Sequence, residues 1–282
     1  MQHHEGNFEG FDQTKLYYQA WKNEIEDKGT VIISHGFGEH SGRHSNLAVQ
    51  LVTAGFSVYA LDHRGHGNSG GKQNYVKRFT DYLSDLELFT KLVREKEPTG
   101  SYHLYGHSMG SIIANNYLGL YQDQKYFRSS VLTGTGSAPG PAIGKGVQVV
   151  SKIIGKILPS LSVASGLDPE FISHDPDVVK AYIDDPLVHY KKITARLASE
   201  LLAYTKNMNK AAQNVKVPTM IAVGSEDEAF HPKSWPILLE NLGTDDKELK
   251  VYENMRHEIC NEVEKEKPIQ DIVSWILTHN SS

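Results

Sequence analysis

Residues 102–120, "YHLYGHSMGSIIANNYLGL", decide how this chain is read. An apolar run from Tyr102 to Tyr105 stops at Gly106, and Ile112, Ile113, Asn116 and Leu120 then recur at helical spacing. Between the two patterns stands Gly106-His107-Ser108-Met109-Gly110. A strand that turns sharply into a helix at G-x-S-x-G holds its serine in a strained conformation with the hydroxyl projecting. Glycines flank it because side chains there would clash. The pattern occurs a second time, as "GNSGG" at 67–71, inside "DHRGHGNSGGKQN", where four glycines fall within seven residues. No strand or helix abuts that copy, and such a run reads as a loop. Ser108 is the candidate nucleophile, and Ser69 is a loop serine.

Short apolar runs ending in Gly, Asp or Ser recur on either side of this stretch. "GTVIISHG", "SVYALDHRGHG", "SSVLTGTGSAPG", "VPTMIAVGSED" and "KELKVYENMRH" join "SYHLYGHS" as predicted strands. Helical patterns lie between them. Leu47, Leu51 and Ala54 share one face; Phe79, Leu83, Leu86, Phe89 and Val93 share another; Ile272, Trp275 and Ile276 close the chain. Strands buried on both sides, alternating with helices, predict an α/β fold with a mainly parallel sheet flanked by helices. From Ser137 to Asn214 the alternation stops and no convincing strand is found. "IGKGVQVVSKIIGKILPSL" places Ile143, Val147, Val150, Ile154, Ile157 and Leu161 at spacings of three and four, with Lys145, Lys152 and Lys156 opposite. The segment holds too little for a core of its own. Residues 1–136 and 215–282 are therefore expected to form the two parts of one core, and 137–214 an inserted helical cap or lid.

A nucleophilic serine needs a base, and the base needs an acid to fix its tautomer and stabilise its charged form. On such a sheet the order expected is Ser, then Asp or Glu, then His, each at the end of a later strand. Glu226, Asp227 and Glu228 follow "TMIAVG", and spacing alone does not rank them. Among the later histidines, His231 stands too close behind the acids, and His279 lies three residues from the end of the sequence. His257, after "ELKVYENM", is the candidate base. Charge developing on a carbonyl oxygen needs two N–H donors. Met109, after the nucleophile, supplies one; Phe37, in "SHGFGEH" after "VII", supplies the other, with Gly36 and Gly38 letting the backbone come close.

Composition bounds the remaining possibilities. A chain of 282 residues, 39% hydrophobic and 22% charged, suits one large domain or two small ones with a sizeable core. A net charge of −5 with interleaved signs argues against a nucleic-acid partner. The N-terminal "MQHHEGNFEG" lacks a signal-peptide pattern, and no apolar stretch approaches the roughly 20 residues of a membrane span. The single cysteine, Cys260, excludes an internal disulfide and fits a reducing compartment. A soluble, cytoplasmic protein is expected. No Cys/His cluster has ligand spacing, so neither a metal nor an organic cofactor is expected.

The segments "SHGFGEHSGRH", "LDHRGHGNSGG", "LYGHSMGS", "AYIDDPL", "VGSEDEAF" and "MRH" occur in the order found in monoacylglycerol lipases and related bacterial lysophospholipases. Over nearly its whole length the chain resembles this branch of the α/β-hydrolase fold. The resemblance implies Asp227 as the acid and "RGHGNSGG" as a structural loop beside the site. It also implies that Val163, in "LPSLSV", and Leu201 and Leu202 line an acyl tunnel. The activity implied is hydrolysis of a monoacylglycerol through an acyl-enzyme. A lysophospholipase or general short- to medium-chain carboxylesterase is the nearer alternative, and a non-catalytic ligand-binding protein the more distant one. The partner implied is a small lipid ester. The stripe at 143–161 either packs on the core or meets lipid aggregates. In the second case Gly144, Gly146 and Gly155 would loosen it and its lysines would rest on anionic head groups. Three departures bear on the head group: Ser111 replaces a glycine, Ala229-Phe230 replaces a cysteine or bulky aliphatic, and "EICNE" after His257 is more polar than the branch.

Overall fold

The computed structural model describes residues 1–23, 28–98, 100–141 and 154–280. Eight strands form one sheet: β1 (Gln2–Glu9), β2 (Lys15–Lys22), β3 (Thr30–Ser34), β4 (Ser57–Leu61), β5 (Tyr102–His107), β6 (Phe127–Thr133), β9 (Thr219–Gly224) and β10 (Lys247–Tyr252). Their order is β1-β2-β4-β3-β5-β6-β9-β10. The six strands from β4 to β10 pair in parallel, and β1 and β2 run antiparallel at one edge. That edge hairpin is an addition to the strands expected. β1, "QHHEGNFE", is mostly exposed and has no apolar run to reveal it.

The central strands alternate sides, as the pleat requires. Ile32, Tyr59, Leu61, Leu104 and Ile221 enter one hydrophobic cluster, and Val31, Ile33, Val58, Ala60 and Met220 the other. The first cluster is covered by α2 (Phe79–Lys96) and α3 (Met109–Leu120), the second by α1 (Ser45–Thr53) and α7 (Glu266–Asn280). The apolar faces read from the sequence are those buried: Leu47 and Leu51 on α1, Phe79, Leu83, Leu86 and Phe89 on α2, and Ile272 and Ile276 on α7. Helices on both faces leave the carboxyl ends of the parallel strands open as the place for a site.

Segment 137–214 differs from expectation in two respects. It contains a strand pair, β7 (Ser162–Ala164) with β8 (Lys192–Thr194), whose three-residue strands are too short to leave a pattern. Its last helix, α5 (Ala195–Ala212), packs on α3 and places Leu197, Ala198, Met208 and Ala212 in the main core. Ahead of it, α4 (Pro176–Asp184) belongs to a small cluster of Ile172, Tyr182, Val188 and Tyr190. Polar ties fasten this part to the loops at the strand ends. His40 Nε2 lies 2.9 Å from Asp185 Oδ2, His189 N–H donates to the Gly38 carbonyl, and Asn74 Nδ2 donates to the carbonyls of His189 and Lys192. Of the amphipathic stripe, Ile143, Gly144, Lys145, Gly146, Val147, Val150 and Lys152 lie outside the described residues. Ile154 is half-buried, Gly155 is buried against the start of α5, and Ile157 and Leu161 are exposed.

Ser69 has a structural task. Its hydroxyl accepts a hydrogen bond from Tyr17 N–H (2.8 Å) and donates to the Asp62 carbonyl (2.5 Å). It thereby fastens the loop after β4 to β2, the inner strand of the edge hairpin. The Asp62 carboxylate accepts from Ser41 N–H and Asn68 N–H in the same knot. Ser69→Ala strands the Tyr17 donor and is expected to cost about 1–3 kcal/mol by chemical denaturation. An unchanged unfolding midpoint would show that the loop does not need this hydroxyl.

Candidate active site

Chain connectivity reverses at β3: β4 lies on one side of it and β5 on the other. Ser34 pairs with Gly106 in register, so the residues that follow each strand emerge side by side. After β3 these are His35, Gly36 and Phe37; beside them β5 ends at His107 and continues into Ser108 and Met109. The two N–H donors and the serine hydroxyl selected from the sequence thus come from adjacent strand ends, although some seventy positions separate them in the chain.

Ser108 has φ 52° and ψ −120°, a conformation costing about 1–3 kcal/mol for a residue with a side chain. Its neighbours hold it there. Ser108 N–H donates to the Thr133 carbonyl (3.0 Å), and its own carbonyl accepts from Ser111 N–H (2.9 Å) and from the Ser111 hydroxyl (2.6 Å). Ser111, a departure from the related pattern, is thus part of the turn. Met109 begins α3, so its N–H has no carbonyl one turn back and joins the positive end of the helix dipole. The peptides on both sides of Gly36 are clamped. The Gly36 carbonyl accepts from His35 Nδ1 (2.7 Å), and Gly36 N–H donates to Glu39 Oε1 (2.5 Å). A planar trans peptide aims the Phe37 N–H away from that carbonyl. Among the described residues no protein acceptor engages the N–H of Phe37 or Met109, and both residues border one cavity with Ser108 and His257.

Burial pushes the His35 imidazole down to about 4 and His66 to about 3, and holds His63 and His107 well below the ordinary range. All four are neutral near pH 7. His35 then has one donor and one acceptor nitrogen, and the acceptor, Nε2, takes the His63 N–H (2.9 Å).

β9 and β10 bring the remaining two groups together. Gly224 pairs with Tyr252, and the loops beyond stay joined by Ser225 N–H to the Tyr252 carbonyl and Glu226 N–H to the Met255 carbonyl. His257 Nδ1 donates to Asp227 Oδ2 (2.9 Å), and Asp227 Oδ1 accepts from Ala229 N–H (2.8 Å). This leaves His257 Nε2 as the free acceptor. Burial works against a charge on His257, but the Asp227 carboxylate, with Glu258 and Glu39 adding to it, raises the imidazole above its ordinary 6.5. The alternatives weighed in the sequence lie elsewhere. Glu226 is exposed and pairs with His174 (3.1 Å), Glu228 is exposed, His231 caps its own turn, and His279 contacts Trp275 and Asp246.

The cavity is mainly apolar. Ala198, Leu201, Leu202 and Thr205, one face of α5, line it opposite the strand ends, together with Ile112 and Met109 of α3. Val163 does not border it. It is half-buried in β7, paired with Ile193, which does line the cavity, and it packs on the main core. Sequence reasoning also passed over a buried polar group at the wall. Glu39 Oε2 accepts from Arg43 Nε (3.3 Å), Arg43 NH2 donates to Glu258 Oε2 (2.5 Å), and the guanidinium lies 4.5 Å from the centre of the Tyr182 ring. The i, i+4 spacing of Glu39 and Arg43 was a visible signal. Glu258, more than two hundred residues away, gave none.

Residues 25–264 match the family described as serine aminopeptidase, S33. The chain is 32% identical to a monoacylglycerol lipase of Mycolicibacterium smegmatis over 275 residues, 98% of this chain and 97% of that one. Among solved structures, the monoacylglycerol lipase of Paleococcus ferrophilus superposes with a TM-score of 0.84 at 31% identity, covering 94% of this chain and 99% of that one. A soluble variant of the monoglyceride lipase of Saccharomyces cerevisiae, in complex with a substrate analogue, gives a TM-score of 0.88 at 26% identity over 97% and 94%. With Ser108 on its turn between β5 and α3, and this likeness running the length of the chain, the protein belongs to the serine aminopeptidase S33 family, in the monoacylglycerol lipase branch of the α/β hydrolases.

Proposed function

We propose that the protein is a serine hydrolase that cleaves a monoacylglycerol to fatty acid and glycerol, with Ser108, His257 and Asp227 as its catalytic groups. The observation that carries the reading is the His257–Asp227 hydrogen bond on the wall of a cavity that Ser108 also borders. The relatives' activity on monoacylglycerols supports the substrate class. His257 Nε2 takes the Ser108 proton as the hydroxyl oxygen attacks the ester carbonyl. The N–H groups of Phe37 and Met109 bind the resulting oxyanion. As the tetrahedral intermediate collapses, His257 gives the proton to the departing glycerol oxygen. Water, deprotonated by the same imidazole, then attacks the acyl-enzyme and releases the fatty acid. In this reading segment 137–214 is the cap, and Leu201 and Leu202 form the acyl wall. Exposed Ile157, Leu158 and Leu161 are the part of the cap that meets a lipid aggregate.

Ser108→Ala is expected to lower kcat by several orders of magnitude, while folded Ser69→Ala stays within about tenfold of wild type. The reverse result would exchange the two serines. Asp227→Asn should cost about 10⁴ in kcat, and Glu226→Gln and Glu228→Gln little. A near-normal rate for Asp227→Asn would move the acid elsewhere.

The pH profile has a definite sign. Protonated His257 cannot accept the serine proton, so kcat/KM falls as pH drops through its pKa. In the wild type that limb should lie above the ordinary 6.5. In Asp227→Asn burial is opposed only by Glu258 and Glu39, and the limb of the residual activity should move to lower pH. A limb common to both proteins would show that Asp227 does not set the charge state of the base.

A further inference from the structure

"EICNE", residues 258–262, is the polar departure that the catalytic reading leaves unused, and its first residue faces the cavity. Glu258 is 6% exposed, and its Oε2 accepts from Arg43 NH2 (2.5 Å) and Asn261 Nδ2 (2.8 Å). Among the described residues no protein donor reaches its Oε1. Glu39, 3% exposed, is the second carboxylate on the wall. It accepts from Gly36 N–H and Arg43 Nε and lies 3.3 Å from His44 Nε2. Burial opposes its charge, but His44 and Arg43 hold it well below the usual carboxylate range. The cation they share is not part of the wall: Arg43 stands behind it, against the Tyr182 ring.

A bound ester therefore meets an uneven distribution of charge. Apart from the two imidazoles, His107 and His257, the ionisable groups bordering the cavity are Glu39, Glu258 and the Tyr182 phenol, among the described residues. A carboxylate accepts hydrogen bonds and donates none, so a head group beside it must bring its own O–H donors. A phosphate brings negative charge into a place of low dielectric where two carboxylates already stand, with the compensating guanidinium on their far side.

We infer that Glu258, together with Glu39, makes this site selective for neutral polyol esters and against esters that carry a phosphate. The inference rests on the reading of Ser108 as the ester nucleophile, and it names the head-group class for that same site. Glu258 is a specificity residue: it acts on which alcohol is accepted, and the bond cleaved is unchanged.

The test compares a 1-monoacylglycerol, the corresponding 1-acylglycerol 3-phosphate and the ethyl ester of the same fatty acid, which has no head group to select. Wild type should prefer the monoacylglycerol over its phosphate by about a hundredfold or more in kcat/KM. Glu258→Gln should narrow that preference by about tenfold. A wild type inert toward all three esters overturns the esterase reading itself. Activity on the ethyl ester with kcat/KM for the other two within about threefold overturns the selectivity alone, as does an unchanged ratio in folded Glu258→Gln. Should that variant not fold, wild type still decides the matter. Glycerol should inhibit ethyl ester hydrolysis about tenfold more strongly than glycerol 3-phosphate, and equal inhibition by the two would overturn the inference.

Discussion

Everything in the site hangs on how closely α3 approaches the end of β3. A Cβ at Gly110 would collide with the Ser34 carbonyl oxygen, and one at Gly106 would lie 2.6 Å from the Gly110 carbonyl oxygen. With both positions bare, the chain can leave β5 and start a helix within two residues. That abruptness forces the positive φ of Ser108 and leaves the Met109 N–H without an acceptor. The strain of about 1–3 kcal/mol is offset locally, since each hydrogen bond at the turn contributes about 0.5–1.5 kcal/mol. A larger residue at 110 would push α3 off the sheet and dissolve this arrangement before it touched any reacting group.

The second donor is positioned by chemistry of another kind. Nothing strained holds Gly36; a neutral imidazole grips its carbonyl, in the peptide that carries the Phe37 N–H, and a charged carboxylate grips its N–H, in the peptide before. This division explains why four fully buried histidines crowd the ends of β3, β4 and β5. Kept neutral by burial, His35 and His66 bind backbone groups and His63 and His107 bind the Ser34 and Thr133 hydroxyls, without adding charge near a developing oxyanion. Of these five, only His257 has a carboxylate hydrogen-bonded to its ring, and its imidazole is raised while those of His35, His63, His66 and His107 are lowered. One residue type thus serves two purposes, separated by which side chain meets Nδ1.

The sheet and the elbow were legible because their signals are local. "TVIIS", "SVYAL" and "TMIAVG" are buried on both faces and show as apolar runs, and Gly106 and Gly110 stand within two residues of the serine they serve. β1 was hidden because an edge strand facing solvent has no apolar requirement to satisfy. β7 and β8 were hidden by their length. Val163 is paired with Ile193, which lines the cavity, yet does not border it itself; resemblance fixes which segment lies near the cavity, not which residue of it reaches the wall. Glu226, Asp227 and Glu228 could not be ranked from spacing, since only one of three consecutive side chains after a strand can point back across β10. Contacts such as Arg43 with Glu258 join residues that no pattern links. They became visible only when the loop after His257 was seen to fold against the loop after β3.

That last loop also shows where segment 137–214 meets the chemistry. His257 N–H donates to the Phe171 carbonyl, Glu258 N–H to the Ile172 carbonyl, and Arg256 NH1 to the carbonyls of Glu170 and Ser173. Buried Glu262 closes the seam by accepting from Ser173 Oγ, from Arg256 N–H, and from the backbone and ring of His174. With the Val263 N–H, five donors converge on one carboxylate, and removing any of them leaves a buried charge with less compensation. The Phe171 ring lies 5.1 Å from the His257 ring, so the same residue packs on the imidazole whose backbone it binds. The stretch 170–174 and the loop that carries the base are therefore one hydrogen-bonded unit. His257 is placed on one side by Asp227, at the end of β9, and on the other by a segment that belongs to neither strand. A substrate that displaced residues 170–174 would displace the base with them.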